Sequence, residues 1–197
     1  MIRNIIFDMG NVLLDYNPDV CLERFVEREE DRLLIKKELF LGPEWVQGDL
    51  GYLTDEERFP GVSKRVPERL HKQLWQCVNE WDICMKPVKG AKAFCEEKKK
   101  QGYRLYVLSN ASSSFYRYFP RLVDPAYFDG IVVSCDVHLI KPDIRIFRHL
   151  LDTYALKPEE CFFIDDLEEN VKGAQKAGIQ GAVFHGDYEE IRQYFQV

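Results

Sequence analysis

No apolar run in this chain approaches the ~20 residues that a bilayer-spanning helix needs, so a membrane partner is not expected. The first apolar stretch, Ile5-Ile6-Phe7, is too short for a secretory leader and closes on Asp8. Paired cysteines are missing too: Cys21, Cys77, Cys84, Cys95, Cys135 and Cys161 contain no C-x-x-C pair and no Cys/His knuckle. Buried free thiols in a reducing, cytoplasmic setting are the expectation. His71, His138, His149 and His185 show no ligand spacing and receive no role. Nor is there an excess of positive charge. A formal net charge of −6 argues against a nucleic-acid footprint, which needs a basic face. What remains is an ordinary globular composition, 46% hydrophobic over 197 residues, enough for one core with a small insert.

The chain alternates. Leu105-Tyr106-Val107-Leu108, Ile131-Val132-Val133 and Cys161-Phe162-Phe163-Ile164 read as buried parallel strands, and Gly181-Ala182-Val183-Phe184 is a weaker one. Helical patterns separate them. Val88 to Lys100 ends in Lys98-Lys99-Lys100 before Gly102, a solvated helix end favoured by the dipole. Pro142-Asp143 opens a helix through Leu151, and another runs from Glu168 to Ala177. Strand and helix in turn predict an α/β fold, a Rossmann-like three-layer core with a mostly parallel sheet.

From about Asn17 the rhythm breaks. Asn17-Pro18 resembles an N-cap with proline in the first turn, and Thr54-Asp55-Glu56-Glu57 a capping box. Leu33-Leu34 with Leu39-Phe40, and Leu70 with Leu74 and Trp75, fit amphipathic helices with no strand between them. An all-helical insert over residues 17–84 is expected, with the core formed by 1–16 and 85–197. The alternative is that these helices only extend the core. An insert placed after the first strand lies over the sheet edge where open α/β folds bind ligands, in the position of a lid.

Two apolar strands end in acids: Ile5-Ile6-Phe7-Asp8 and Phe163-Ile164-Asp165-Asp166. Like charges in one low-dielectric cleft raise each other's pKa unless a cation lies between them. Mg²⁺, which takes one or two carboxylates plus substrate phosphate, is the simplest resolution. Each signal has a bland reading by itself. Asp-x-Gly-Asn makes a turn, Ser109-Asn110 caps a helix, Lys141 is a surface lysine, and Asp165-Asp166 caps the helix near Glu168. The order in which they occur is more telling. Successive strand ends offer Asp, Ser-Asn, a following Lys and Asp-Asp on one sheet edge, the groups that phosphoryl transfer uses. A carboxylate attacks, hydroxyl and amide hold phosphate oxygens, a lysine neutralises charge, and further acid fixes metal.

Ile-Ile-Phe-Asp8-Met-Gly-Asn-Val-Leu, Val-Leu-Ser109-Asn110, Lys141-Pro-Asp143 and Phe-Ile-Asp165-Asp166 resemble the four motifs of the haloacid dehalogenase-like (HAD) superfamily. Phe147, Glu169-Asn170-Val171-x-Gly173-Ala174 and Gly178 extend the match, and the insert resembles the small helical cap of the superfamily's first subgroup. Asp-x-Gly-Asn with Asp-Asp-x-x-x-Asn is similar to a branch containing bacterial α-glucose-1-phosphate phosphatases. The resemblance implies Asp8 as nucleophile and metal ligand. It also implies that Gly10, Asn11, Ser109, Asn110 and Lys141 hold phosphate or orient the site. Asp166, Asp165 and the Gly10 carbonyl would complete a Mg²⁺ site. Trp45 and Gln47, in a turn-rich patch with Asp49, are candidates for reading a sugar, although a Trp there more often belongs to a core.

Gly10 departs from the pattern. Most phosphatases of the superfamily carry a second Asp two residues after the nucleophile as general acid and base. Without it, the proton for the leaving group must come from water, the substrate or the cap, or the leaving group must be good. The implied function is a Mg²⁺-dependent phosphomonoesterase for a small phosphorylated metabolite such as a sugar phosphate, acting as a monomer or weak homo-oligomer. A haloacid-type dehalogenase uses the same carboxylate but leaves the Asp165-Asp166 pair unexplained. A phosphomutase depends more on the missing acid. A phospho-ligand binding protein without turnover is the non-enzyme alternative.

Overall fold

The computed structural model describes residues 1–195. Its strands are β1 (Asn4–Phe7), β2 (Leu14–Asp15), β3 (Lys86–Pro87), β4 (Arg104–Ser109), β5 (Gly130–Val133), β6 (Cys161–Asp165) and β7 (Gln180–Val183). Five of them form an all-parallel sheet in the order β5-β4-β1-β6-β7. β2 and β3 make a separate antiparallel ribbon, pairing Leu14 with Pro87 and Asp15 with Lys86.

The helices are α1 (Pro18–Phe25), α2 (Glu29–Ile35), α3 (Pro43–Asp49), α4 (Phe59–Val62), α5 (His71–Glu80) and α6 (Ala91–Lys100). They continue with α7 (Phe115–Leu122), α8 (Ser134–Val137), α9 (Ile144–Thr153), α10 (Glu168–Lys176) and α11 (Tyr188–Arg192).

The apolar runs form strands because both sheet faces are covered. Along β1 and β4, Ile5, Phe7, Leu105 and Val107 join one apolar cluster, whereas Ile6, Tyr106 and Leu108 join a second. This period of two sends alternate side chains to opposite faces. Phe94 of α6, Phe115 and Phe119 of α7 and Ile191 of α11 pack on the first face. Phe147 and Leu150 of α9 and Ala174 of α10 pack on the second. The result is the expected three-layer α/β core. The chain runs from β1 to β4 on one side and to β6 on the other, so their C-terminal ends frame a topological switch point.

Among the described residues 18–84 there is no strand. Asn17 caps α1 through its side chain, which accepts from Asp19 N at 3.0 Å. Thr54 and Glu57 form the reciprocal capping box, with bonds of 2.8 and 3.3 Å. Two expected apolar faces are narrower than the patterns suggest. Leu70 just before α5, Leu74, Cys77 and Val78 on it and Trp81 in the turn after it form the buried stripe, so Trp75 lies beside it, exposed and perpendicular to the Phe59 ring. Leu33 is exposed as well, because Ile35 and Leu39 carry the burial on α2 and the π-helical turn Lys36–Phe40. The patch around Trp45, read as turn-rich, is the helix α3, with Pro43 in its first turn. No helix among the described residues is long and apolar enough to cross a membrane, and all six cysteines are buried and free.

Candidate active site

Strand ends deliver the acids. Asp8 follows β1 and its N–H donates to Ile164 O at 2.8 Å, which fixes it beside β6. Asp165 closes β6 and is fully buried; its Oδ1 accepts from Leu167 N at 2.9 Å and from Asn170 Nδ2 at 3.0 Å. Lys141, also buried, bridges the two carboxylates: Nζ lies 2.6 Å from Asp8 Oδ1 and 2.7 Å from Asp165 Oδ2. Asn110 clamps the Lys141 backbone, donating to its carbonyl at 3.0 Å and accepting from its N–H at 2.8 Å. The reach of the lysine is therefore set from β4.

The turn after β1 is tight. Leu13 N and Leu14 N both donate to Met9 O at 2.9 Å, and Asn11 adopts a left-handed backbone that asparagine tolerates. Asn11 Nδ2 donates to Asp166 Oδ2 at 2.9 Å while its Oδ1 accepts from Tyr16 N at 3.0 Å. Asp166 is thereby tied to the β1 loop and to the ribbon. The Gly10 carbonyl accepts no hydrogen bond among the described residues and borders the same cleft.

Electrostatics follow from this crowding. Burial pushes the Asp8 carboxyl up to about 7; Lys141 opposes the rise and Asp165 and Asp166 add to it. Burial also raises Asp166, with Asn11 working against it and Asp165 with it. Burial disfavours charge on Lys141 as well, yet the flanking Asp8 and Asp165 hold its pKa above the ordinary value. Asp8, Asp165 and Asp166 each offer an oxygen within 4.8 Å of the others'. One ammonium faces three carboxylates, so the cluster is short of positive charge.

The cleft has a volume of about 260 Å³ and runs from these acids up to the helical insert. Its far wall carries Tyr16, Trp45, Trp81 and Tyr118, with Asp49 at the end of α3. Trp45 is not free to stack on a ligand from both sides: the Arg58 guanidinium sits 4.3 Å from its ring centre, and Phe40 and Trp81 pack 5.0 and 5.2 Å away. Arg58 is itself buried, 3.0 Å from Asp55. Gly48 leaves room for it, since a Cβ there would stand 2.0 Å from the guanidinium and displace it.

The sequence pattern of the haloacid dehalogenase-like hydrolases matches residues 2–178. The chain belongs to this family. Among its relatives, the sesquiterpene phosphatase astK of Aspergillus oryzae is 26% identical over 177 residues, covering 89% of this chain and 86% of that protein. The drimenol cyclase drtB of Aspergillus calidoustus is 27% identical over 98% of this chain, but the chain spans only 36% of that protein. A HAD family enzyme of Bacteroides thetaiotaomicron, bt-2542, solved in complex with magnesium and inorganic phosphate, superposes with a TM-score of 0.75. That match covers 97% of this chain and 99% of the other at 23% identity, which speaks for the fold alone.

Of the residues singled out in the sequence, Asp8, Gly10, Asn11, Asn110, Lys141, Asp166 and Trp45 border the cleft. Asp165 lies behind it, against Lys141 and Asn170. Ser109 is fully buried just below the cleft wall, and its hydroxyl finds no partner among the described residues. Gln47 is exposed and absent from the wall, because a helix puts residues two apart on different sides. Two residues of the quoted patterns had been given no role of their own. Asn170, present in the Asp-Asp-x-x-x-Asn pattern, holds Asp165, and Asp49, named with the Trp45 patch, shares the Trp45 side of α3 by its i, i+4 spacing.

Proposed function

We propose that the chain is a Mg²⁺-dependent phosphomonoesterase acting on a small phosphorylated metabolite. The observation that carries the reading is the buried Asp8–Lys141–Asp165 bridge, with Asp166 beside it, at the C-terminal edge of a parallel sheet. Three hard oxygen donors and one free backbone carbonyl, short of positive charge, suit Mg²⁺ better than a softer ion. Asp8, Asp166 and the Gly10 carbonyl would hold it, with Asp165 supporting from behind. When bound, the ion supplies charge that draws the phosphoryl oxygens in and keeps the carboxylates ionised.

The remaining chemistry belongs to the chain. Asp8 attacks phosphorus and carries the phosphoryl group as an aspartyl-phosphate, which water then cleaves. Lys141 aligns Asp8 and offsets charge on the transferring group, held at the right depth by Asn110. The orphaned Ser109 hydroxyl is a donor awaiting a phosphate oxygen, reached by a small adjustment of the β4 end. Residues 17–84 act as a cap that closes the cleft from water and limits the leaving group.

The cap wall favours a compact leaving group with an apolar face. A sugar phosphate offers such a face through its ring C–H groups, and the sequence likeness to α-glucose-1-phosphate phosphatases points the same way. The name of the astK relative adds prenyl-type phosphates to the panel. A haloacid dehalogenase would use Asp8 and leave Asp166 without a task.

The test measures phosphate release from sugar, alkyl and aryl phosphates with Mg²⁺ or with EDTA, and chloride release from 2-chloropropionate. Metal-dependent phosphate release that vanishes in Asp8→Asn is the expected result. Chloride release alone would replace the reading by a dehalogenase. Release of neither, with Mg²⁺ still bound, would leave a binding protein.

A further inference from the structure

The proton donor that position 10 lacks has to come from elsewhere on the cleft. The gap at Gly10 is open: a Cβ built there would meet only Asp8 Oδ2, at 3.8 Å. No neighbouring side chain has moved in to replace the missing carboxyl. The titratable groups on the cleft wall are Asp8, Tyr16, Asp49, Tyr118, Lys141 and Asp166. Most are committed. Asp8 is the nucleophile, Lys141 is bound to two carboxylates, and Asp166 belongs to the metal set with Asn11 on it. Burial raises the phenols of Tyr16 and Tyr118 well above their usual range, which makes them poor donors at neutral pH, and Tyr118 Oη rests on Met9 Sδ at 3.3 Å.

We propose that Asp49 is the general acid and base of the reaction, delivered from the cap in place of the acid that the β1 loop lacks. The proposal rests on the phosphomonoesterase reading. Among the described residues the Asp49 carboxyl makes no hydrogen bond and no ion pair, although its backbone is firmly held. Ser134 Oγ of the core donates to the Asp49 carbonyl at 2.5 Å, and His138 Nδ1 lies 2.7 Å from Leu50 O. Gly51 next to it approaches Cys135 O so closely that a Cβ would fall 2.1 Å away. The core therefore fixes the end of α3 while the side chain stays free in the cleft. An unpaired carboxyl on a fixed backbone, lining the same cleft as the nucleophile, has what a proton donor needs.

Its protonation suits the task. Burial pushes Asp49 up to about 7, with Arg58 pulling it down and Asp55 adding to the rise. The C-terminal turn of α3 disfavours its anion further. Arg58 and Asp55 of the cap, Tyr16 beside the ribbon, Tyr118 of α7 and Cys135 of α8 are the ionisable groups around it. A group near neutrality serves as acid and then as base at one pH.

The two steps balance. Asp8 bonds to phosphorus, the ester P–O bond breaks, and the departing oxygen takes the Asp49 proton to leave as an alcohol. The Asp49 carboxylate then takes a proton from water as its oxygen attacks phosphorus. The Asp8–phosphorus bond breaks, freeing inorganic phosphate and restoring both carboxyl groups.

The experiment compares an alkyl phosphate with a series of aryl phosphates whose leaving groups need less protonation. In Asp49→Asn, kcat/KM for the alkyl ester should fall by about 10²–10⁴-fold, the usual worth of general acid catalysis. For 4-nitrophenyl phosphate it should fall less than about tenfold, with a burst of nitrophenol followed by slow turnover as the aspartyl-phosphate accumulates. Log kcat/KM should therefore fall more steeply with leaving-group pKa in the variant than in wild type. Asp49→Ala repeats the comparison without a polar side chain, and thermal melting checks that both variants are folded. A parallel loss on every ester in both variants, or no loss, overturns the assignment while wild-type turnover and its abolition in Asp8→Asn keep the phosphatase reading. Wild type that releases phosphate from no ester ends that reading and the Asp49 assignment together.

Discussion

Replacing Lys141 by Met tests whether the site is held by charge or by packing. The wild-type ammonium lies 2.6 Å from Asp8 and 2.7 Å from Asp165, with the lysine side chain and Asp165 shut off from solvent. Removing one partner of a buried ion pair costs about 3–5 kcal/mol, because the other charge stays behind without compensation. Here one cation serves two anions, so the upper half of that range is expected at pH 8 in EDTA. In a domain of this size each kcal/mol moves the melting point by about 2–4 °C, which gives a drop of about 8–20 °C.

The pH dependence separates the causes. Asp8 is raised from 3.8 to about 7 in the folded wild type. A carboxyl whose folded pKa exceeds its unfolded one adds stability below the unfolded value and loses it as pH rises through the folded value. Without Lys141 the Asp8 pKa moves higher still, so the loss carries on to higher pH. The gap between variant and wild type should be widest at pH 8 and narrow toward pH 5, where Asp8 is neutral in both. Urea unfolding at pH 5, 6.5 and 8 measures this. An equal loss at pH 5 and pH 8 would refute the electrostatic argument, and would assign the effect to the lysine's packing 5.3 Å over Phe163.

Two further outcomes follow from the same geometry. Mg²⁺ affinity measured by calorimetry should weaken by about tenfold per pH unit below about 7, since Asp8 and Asp166, both raised, must lose protons to bind the ion; constant affinity from pH 6 to 8 would contradict it. Gly51→Ala should lower stability by at least about 1–2 kcal/mol, because the left-handed backbone penalises a side chain there and the Cβ would meet Cys135 O at 2.1 Å; an unchanged melting point would show that the cap end is not pinned to the core.

The core was legible because one short run of residues encodes both strand and site. Ile5 to Phe7 and Cys161 to Ile164 bury both faces, and the acids that follow are the first groups beyond the sheet edge. Lys141 could be placed by its order among the strand ends, but its bridge between Asp8 and Asp165 depends on Asn110, which sits 31 residues away in sequence. Ser109 shows the limit of such reasoning: the pattern singles the residue out, but not that its side chain is fully buried with a hydroxyl that finds no partner among the described residues.

The insert was readable only as helices, because its specific contacts are nonlocal and pair residues of unremarkable type. Nothing in the sequence near Arg58 indicates a buried guanidinium. It becomes one because Gly48 lets it reach the Trp45 ring and Asp55 offsets its charge. Asp55 in turn accepts from Ser112 Oγ, beyond β4, at 3.0 Å and from Trp81 Nε1 of the helical insert at 2.9 Å, so a residue that looked like part of a capping box ties the insert to the sheet edge. Asp49 inherits its place from this chain of contacts. Reading Pro43 to Asp49 as a helix rather than a turn would have put Trp45 and Asp49 on one side and Gln47 on the other. The residues that line the cleft from the sheet are thus written locally at strand ends. Those that line it from the helical insert depend on one helix's periodicity and on what the far side of the fold does with it.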